Sequence, residues 1–247
     1  MRAIVLAAGV GSRLRPLTQT RPKAMVNMLG DGPILHRCIR CLVEVGVNRV
    51  TVVVGYRADT VREETGDSLF GADISYVYAP DYKSTGTADS FYLAARELTD
   101  GVLLIEGDVL FDSDIPRRLL NRIDQSDIAA VAPFRPPLNG TAVTLDNQGQ
   151  WIKNVYRDTP SGERDGYWKT INIYKFSAHT MRKLCELWER ARLDNPAAYF
   201  EDMLKAFIDG GQKVIARDCG DCRWFEVDDF GDLTTARHIF GCQSPGG

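Results

Sequence analysis

The feature that most constrains the fold is an apolar run that ends at two closely spaced glycines. Residues 3–8 are all apolar, which is typical of a strand buried on both faces of a parallel sheet. Gly9 and Gly11 then allow the backbone to approach a ligand closely, and successive N–H groups in such a turn form an anion-binding cradle. Four basic side chains follow: Arg13, Arg15, Arg21 and Lys23. We therefore expect a polyphosphate ligand at the end of the first strand.

Spacing excludes two common phosphate-binding motifs at this loop. A dinucleotide fingerprint needs a third glycine at the start of a helix, whereas Gly11 is followed by Ser12, Arg13 and Leu14. A P-loop needs a glycine followed by lysine and then serine or threonine, which this sequence lacks. A glycine-rich turn with incidental arginines is the structural alternative to a polyphosphate site.

Strand and helix patterns alternate along the first half of the chain, which predicts parallel strands joined by right-handed crossovers. From residue 136 the pattern changes to short strands, one long aromatic strand at 167–176, and further helices. We predict an α/β fold: a mixed, mainly parallel Rossmann-like sheet flanked by helices, with a small β-rich region. A chain of 247 residues is long enough for one such domain, which we place at 1–242, with a disordered tail at 243–247.

Acidic residues stand at two positions where they would reach the ligand-binding edge of the sheet. The strand at 101–106 runs into Gly107 and Asp108, so the Asp108 carboxylate emerges at the carboxyl edge, where open α/β folds bind ligands. Glu226 and Asp228 flank one valine, so both carboxylates face the same side of a strand. An exposed turn aspartate and a charged edge strand are the respective alternatives.

Lys169 stands out within the long aromatic strand. Strict alternation would place it on the same face as Ile171 and Ile173, opposite Asn172. A lysine buried among isoleucines requires an anionic partner.

These motifs together resemble the sugar-nucleotidyltransferase family, which includes the phosphocholine and phosphonate cytidylyltransferases. The resemblance rests on residues 6–18, which read L-A-A-G-x-G-S-R-L-x-P-L-T, and on Arg21-Pro22-Lys23. It extends to Gly86-Thr87-Ala88, the Gly107-Asp108 pair, the strand at 167–176 and Glu226-Val227-Asp228. It implies a Mg²⁺-dependent nucleotidyltransferase with a nucleotide-binding core at 1–135 and, at 136–242, an acceptor-binding part that includes a β-rich lid and completes the metal site.

The resemblance also implies a role for each matching residue. Catalytic roles fall to Arg13, Lys23 and Lys169. Nucleotide contacts fall to Leu6, Ala8, Gly9, Gly11, Ser12, Gly86, Thr87, Ala88 and Asp108. Acceptor contacts fall to Lys169, Tyr167, Asn172 and Glu201, and Mg²⁺ ligands are Asp108, Asp228 and Glu226. Thr87 acting only as a helix N-cap is an open alternative, as is a second-shell or structural role for Glu106.

The short chain and the strand at 167–176 are more similar to cytidylyltransferases than to hexose-1-phosphate enzymes, which usually carry a longer sugar-binding insert. We therefore expect CTP and a small phosphonate or phosphate monoester as substrates, such as phosphonoformate, aminoethylphosphonate or phosphocholine. Residues 87–90 depart from the asparagine-rich segment of the phosphocholine type, which favours a phosphonate. A hexose-1-phosphate nucleotidylyltransferase using UTP, dTTP or GTP is the alternative, followed by a non-catalytic nucleotide sensor.

Composition limits the partners and the compartment. A net charge of −3 argues against nucleic acid and anionic membranes as partners. No apolar run approaches the roughly 20 residues that span a bilayer, and the N-terminus lacks a signal-peptide pattern, so we expect a cytoplasmic protein. Cysteines are then thiols: Cys38 and Cys41 as buried helix residues, with metal binding by Cys219 and Cys222 left open. A homodimer is an open alternative to a monomer.

Overall fold

A computed structural model describes residues 1–28, 30, 32–121, 126–136, 138–157 and 165–241. The tail predicted to be disordered, at 243–247, lies outside the described residues, as does most of the predicted polar loop at 159–166. Within the described residues, no helix has both the length and the apolarity that crossing a membrane requires.

Strands and helices alternate along the first part of the described chain, as the sequence predicts. The elements are β1 (Arg2–Ala7), α1 (Ile34–Val43), β2 (Arg49–Val54), α2 (Ala58–Thr65), β3 (Ser68–Leu69), β4 (Ala72–Tyr78), α3 (Thr87–Ala95), β5 (Val102–Glu106), β6 (Val109–Phe111), α4 (Asp114–Leu120), β7 (Ile128–Pro133), β8 (Ala142–Leu145), β9 (Ile152–Tyr156), β10 (Trp168–Phe176), α5 (Ala178–Ala191), α6 (Phe200–Asp209), β11 (Ile215–Asp218), β12 (Trp224–Glu226) and α7 (Phe230–Phe240). Residues 12–14 and 23–25 form single turns of 3-10 helix.

The central sheet has the strand order β11-β7-β10-β5-β1-β2-β4-β3. Strands β5, β1, β2 and β4 are parallel neighbours, while β10 runs antiparallel between β5 and β7. The predicted mixed, mainly parallel α/β fold is confirmed. Because β10 comes from residues 136–242 and lies between strands of residues 1–135, the two predicted parts share one sheet.

Two smaller strand pairings complete the site region. The hairpin β8–β9 pairs with the start of β10 through Ala142 and Val143, and it forms the β-rich region. Strand β12 pairs with β6, which places Glu226 opposite Val109, next to Asp108. Two carboxylates separated by more than a hundred positions in the sequence therefore become neighbours.

The core explains why the apolar runs become strands. Ile4 and Val5 of β1 are fully buried on opposite faces of the sheet, each in a different apolar cluster. Full burial of such a side chain contributes about 1.5–3 kcal/mol, so a strand with apolar residues on both faces is stable only inside a layered fold. Cys38 and Cys41 are buried on α1 against one of these clusters, as predicted. Burial raises the pKa of Cys41 to about 12, so its thiol stays protonated at neutral pH.

Strand β10 departs from the predicted alternation at Asn172. Its φ angle is +60°, and the pairing with β7 shifts register between Thr170 and Tyr174. Such an irregularity changes the direction of the side chains that follow it. The prediction that Lys169 and Asn172 point to opposite faces is therefore wrong, since both line the same cleft. The Thr170 hydroxyl donates a 2.9 Å hydrogen bond to Asn172 Oδ1 and helps to hold the unusual backbone.

Candidate active site

A cleft of about 850 Å³ opens at the carboxyl edge of the parallel strands. Most of the residues predicted from the sequence line it: Leu6, Ala8, Gly9, Gly11, Ser12, Arg13, Lys23, Gly86, Thr87, Asp108, Lys169, Asn172, Glu201, Glu226 and Asp228. Two do not. Ala88 is fully buried in the core, and Tyr167 packs edge-on against Tyr156 at 5.6 Å between ring centroids. The fold thus gathers three distant parts of the chain at the edge where α/β sheets bind ligands.

The loop after β1 owes its shape to Gly11, which has a φ of +65°. A Cβ atom there would lie 2.8 Å from Lys23 Cβ, so a larger residue would push Lys23 out of the cleft. The Thr18 hydroxyl donates a 2.7 Å hydrogen bond to the Gly11 carbonyl and closes the loop. Of the four basic residues expected beside the cradle, Arg13 and Lys23 line the cleft.

The other two basic residues, Arg15 and Arg21, depart from that expectation. Arg21 forms an ion pair with Glu64 at 3.4 Å, and Arg15 is exposed outside the cleft lining. The expectation that four cations flank the cradle is therefore wrong, because Arg21 is held outside it by Glu64 and by the Met25 carbonyl.

Lys23 lies between two carboxylates. Its Nζ is 2.6 Å from Asp108 Oδ2 and 2.9 Å from Asp228 Oδ1, and Arg13 Nη2 is also 2.9 Å from that Asp228 oxygen. Burial alone would lower the pKa of Lys23, but the two carboxylates outweigh burial and raise it, so the ammonium stays charged. Burial likewise opposes the ionisation of Asp228, yet Lys23 and Arg13 hold the pKa of Asp228 below its usual value. An ammonium has three donors, which leaves Lys23 one for a ligand oxygen.

Lys169 occupies the other side of the cleft and is almost completely buried. Its Nζ is 3.0 Å from Glu226 Oε2 and donates a 2.7 Å hydrogen bond to the Thr170 carbonyl. The anionic partner expected for this lysine is therefore Glu226. Gly140 packs over the pair, since a Cβ there would lie 3.4 Å from Lys169 Nζ.

Three carboxylates at the cleft form what we call the carboxylate cluster: Glu106, Asp108 and Glu226. One oxygen from each lies within 4.8 Å of the others. Among the described residues, Glu106 Oε1 and Asp108 Oδ1 are buried without a hydrogen-bond partner. Burial, reinforced by the neighbouring acids, raises the pKa of Glu106. Oxygen donors of this kind suit a hard divalent cation, so the residues present fit Mg²⁺.

Asn172 and Asp228 both make contacts with other residues of the cleft, and the acceptor and metal roles that the resemblance implies for them stay predictions. Asn172, expected at the acceptor, donates its amide to Glu106 Oε2 at 3.4 Å and Glu226 Oε1 at 3.3 Å, and so braces the carboxylate cluster. Asp228, expected at the metal with Asp108, lies across Lys23 from Asp108.

The segment Gly86-Thr87-Ala88 ties the starts of α3 and α6 together. Gly86 N–H donates to the Pro196 carbonyl at 3.0 Å, and Ala88 N–H donates to the Ala198 carbonyl at 3.3 Å. The Thr87 hydroxyl accepts a 2.8 Å hydrogen bond from Phe200 N–H, so it caps α6 instead of its own helix. The backbone N–H groups of Gly86 and Ala88 are thus already used in hydrogen bonds within the protein. The neighbouring residues at 82–85 line the cleft beside this segment.

Several cleft residues carry no sequence signal that marks them as functional. Arg157 lies 4.1 Å from the ring centroid of Tyr199 and forms an ion pair with Asp202 at 3.0 Å. Arg157 and Tyr199 line the cleft, and neither belongs to a motif that the sequence shows. Asn139 and Gly140 also line the cleft, and this pair is a turn signal that could have drawn attention to the loop before β8.

The sequence profile of the nucleotidyl transferase family matches residues 2–238. The chain belongs to this family. This nucleotidyl transferase is 37% identical over 245 residues to the CMP-5'-(3-aminopropyl)phosphonate synthase of Streptomyces rubellomurinus, covering 97% of this chain and 39% of that protein. It is 36% identical over 132 residues to a UTP–glucose-1-phosphate uridylyltransferase of Haloferax volcanii, covering 52% of each.

A solved structure of similar fold is the inositol-1-phosphate CTP transferase of T. maritima. The TM-score is 0.79 at 24% identity, covering 97% of this chain and 94% of that one. At this identity the likeness shows the fold.

The match spans about two fifths of the length of the phosphonate synthase and about half the length of the uridylyltransferase.

Proposed function

We propose that this chain transfers CMP from CTP to a small acceptor carrying a phosphonate or phosphate monoester, with release of pyrophosphate. The observation that carries the proposal is the pair of lysines in one cleft: Lys23 at the phosphate loop and Lys169 on the facing strand, each held by a carboxylate at about 3 Å or less. Such a site suits a reaction between two anions, because each anion meets its own cation.

The chemistry consists of one bond made and one bond broken. An oxygen of the acceptor phosphonate attacks the α-phosphorus of CTP, the bond from that phosphorus to the bridging oxygen breaks, and pyrophosphate leaves with the electron pair. The acceptor oxygen is already anionic at neutral pH, so no general base is needed. Positioning and charge stabilisation then account for most of the catalysis.

Each cleft residue has a role consistent with its contacts. The backbone of Gly9, Gly11 and Ser12, with Arg13, binds the β- and γ-phosphates. Lys23 directs its remaining donor to the α-phosphate, where charge accumulates in the transition state, and Lys169 binds the acceptor's oxyanion.

Mg²⁺ bound at Asp108, with Glu226, Glu106 or Asp228, would neutralise the phosphate oxygens. Glu106 and Asp108 offer buried unpaired oxygens for it in the described part of the chain.

A phosphonate acceptor is favoured over a sugar phosphate by the relatives. The phosphonate synthase matches over 245 residues, whereas the uridylyltransferase matches over 132. The match to the phosphonate synthase covers 97% of this chain, and so it extends into the part that supplies the residues assigned to the acceptor.

The test is a pyrophosphate-release screen of CTP, UTP, dTTP and GTP against phosphonoformate, aminoethylphosphonate, phosphocholine and a set of hexose 1-phosphates. We expect CTP with a phosphonate to give the fastest release. CTP should exceed UTP by at least roughly tenfold, because uracil reverses part of cytosine's donor pattern and would leave buried groups unpaired. A preference for a hexose 1-phosphate with UTP would replace this proposal with the sugar-nucleotide alternative. Nucleotide binding without release from any acceptor would indicate a sensor.

A further inference from the structure

Asn172 is a buried asparagine in a backbone conformation that glycine adopts most readily. Its φ of +60° lies in the left-handed region, inside the long strand β10. A non-glycine residue keeps such a conformation only where the surrounding contacts hold it, and these positions concentrate at functional sites. The exposed fraction of Asn172 is 3%, and the residue lines the cleft. We therefore looked to its side chain for the reason that an asparagine stands here.

Hydrogen bonds to the Asn172 amide determine which end of it faces the acids of the cleft. The Thr170 hydroxyl donates a 2.9 Å hydrogen bond to Asn172 Oδ1, and the Tyr174 hydroxyl donates to the same oxygen at 3.5 Å. Both donors are fully buried residues of the same strand. The amide oxygen only accepts and the amide nitrogen only donates, so Nδ2 must face the carboxylates. The amide is thus held as a double donor towards the carboxylate cluster.

The amide nitrogen of Asn172 bridges two members of the carboxylate cluster. Nδ2 donates to Glu106 Oε2 at 3.4 Å and to Glu226 Oε1 at 3.3 Å, while Lys169 Nζ lies 3.0 Å from Glu226 Oε2. These contacts use three of the four oxygens of the two glutamates. The fourth, Glu106 Oε1, is buried without a hydrogen-bond partner in the described part of the chain, as is Asp108 Oδ1.

Resting on the magnesium site of the proposed function, we propose that Asn172 is a positioning residue for the metal. It holds Glu106 and Glu226 at the spacing that a small divalent cation requires, and it leaves Glu106 Oε1 available to the ion. Carboxylates this close repel each other, and a neutral double donor between them offsets the repulsion without competing for the cation site as a lysine would. Hydrogen bonds to metal ligands raise metal affinity in this indirect way. The role differs from the acceptor contact that the resemblance implies for Asn172.

Asn172→Gly separates the backbone from the side chain. Glycine adopts the positive φ without strain and lacks the amide, so the circular dichroism spectrum should be unchanged. Mn²⁺ binding to the whole chain is measured by electron paramagnetic resonance of the free ion, and competition by Mg²⁺ and Ca²⁺ gives their affinities. We expect Mn²⁺ and Mg²⁺ to bind roughly 10- to 100-fold more weakly to the variant, the scale typical of losing a hydrogen-bond partner of a metal ligand.

The ratio of Mg²⁺ to Ca²⁺ affinity is the readout that a merely structural role would not move. Without the bridging amide the two glutamates can move apart, and Ca²⁺ accepts longer and more variable oxygen distances than Mg²⁺. The affinity for Ca²⁺ should therefore fall less than the affinity for Mg²⁺ in Asn172→Gly. An equal loss for the two ions would overturn the claim that the amide sets the spacing.

Two further variants serve as a graded test and a control. Tyr174→Phe removes one hydroxyl that orients the amide, so it should weaken Mg²⁺ binding in the same direction but by less than Asn172→Gly. Asn154→Gly makes the same substitution on β9, outside the cleft lining, where the amide donates to the Thr144 hydroxyl at 3.0 Å. This control should retain the metal affinities of the wild type.

Kinetics distinguishes positioning of the metal from contact with the acceptor. Asn172→Gly should raise the Mg²⁺ concentration needed for half-maximal rate, whereas KM for the acceptor at saturating Mg²⁺ should stay near the wild-type value. A large rise in that KM with unchanged metal affinity would overturn the inference and assign Asn172 to the acceptor.

Metal binding also separates failure of this inference from failure of the proposed reaction, since it needs no turnover. The Mn²⁺ measurement is made with and without a CTP analogue that carries a methylene between the α- and β-phosphorus atoms. Equal Mn²⁺ affinity in Asn172→Gly and the wild type, or no binding by the wild type under both conditions, would overturn the inference. Mn²⁺ binding that depends on Asn172 supports it even if no acceptor releases pyrophosphate, a result that would overturn the reaction alone.

Discussion

Replacing Glu201 with glutamine should stabilise the folded protein at alkaline pH. The ordinary pKa of this carboxyl is 4.5, and burial raises it to about 7. A shift of that size means that ionising Glu201 costs the folded state about 3 kcal/mol. Below about pH 4.5 the group is protonated in both the folded and unfolded states, so the cost is absent. As pH rises from about 4.5 towards 7, the unfolded chain ionises while the folded chain keeps its proton, so the folded state loses stability over this window. The advantage of Glu201→Gln should therefore grow between about pH 4.5 and 7 and level off above that range.

The assay is urea unfolding followed by circular dichroism, in buffer with a chelator, near pH 4.5, 6 and 8. We expect the difference in free energy of unfolding between Glu201→Gln and the wild type to change by up to about 3 kcal/mol over this range. Asp209→Asn, whose residue pairs with Lys205 on the exposed side of the same helix, is the control and should show little change. A difference that stays constant with pH, or that falls as pH rises, would refute the claim that burial raises the pKa of Glu201 in the free protein.

Three other substitutions test the proposed reaction. Lys23→Ala should lower kcat by roughly 10²- to 10⁴-fold with an unchanged circular dichroism spectrum, because one preorganised charge at the α-phosphate is lost; a near-normal kcat would contradict that role. Asp108→Asn and Asp228→Asn should each raise the Mg²⁺ concentration needed for half-maximal rate. The double variant should lose little beyond the worse single one, whereas losses that add on a logarithmic scale would count against a shared ion. Lys169→Ala should raise KM for the phosphonate far more than KM for CTP; an equal rise would assign Lys169 to the nucleotide.

The parts of the fold that follow from local pattern were predictable from the sequence. The run at residues 3–8 favours a strand buried on both faces, and Gly9 and Gly11 indicate that the strand ends there in an open turn. The end of β5 at Glu106 places Asp108 at the sheet edge by geometry alone. These inferences need only the period of a strand and the direction of a parallel sheet.

The contacts that depend on tertiary pairing were not predictable in the same way. Alternation put Asn172 and Lys169 on opposite faces, because no single-sequence rule announces a non-glycine residue with positive φ inside a strand. Thr87 caps α6 and not its own helix, because α3 and α6 begin side by side, while its contact with the base stays a prediction. The sequence does not predict Glu106 as a metal ligand, because Glu226 becomes its neighbour only through the pairing of β12 with β6.

The charge pattern of the free cleft helps to explain why two substrates and a metal belong together there. Lys23 is neutralised by Asp108 and its neighbours, and Lys169 is neutralised by Glu226. Among the described residues, Glu106 and Asp108 each have a buried carboxylate oxygen without a hydrogen-bond donor. CTP is a polyanion, so it brings further negative charge to a cleft whose two lysines are already paired with carboxylates. A divalent cation held by Glu106 and Asp108 would supply positive charge beside the phosphates. The nucleotide and the metal therefore belong to one site.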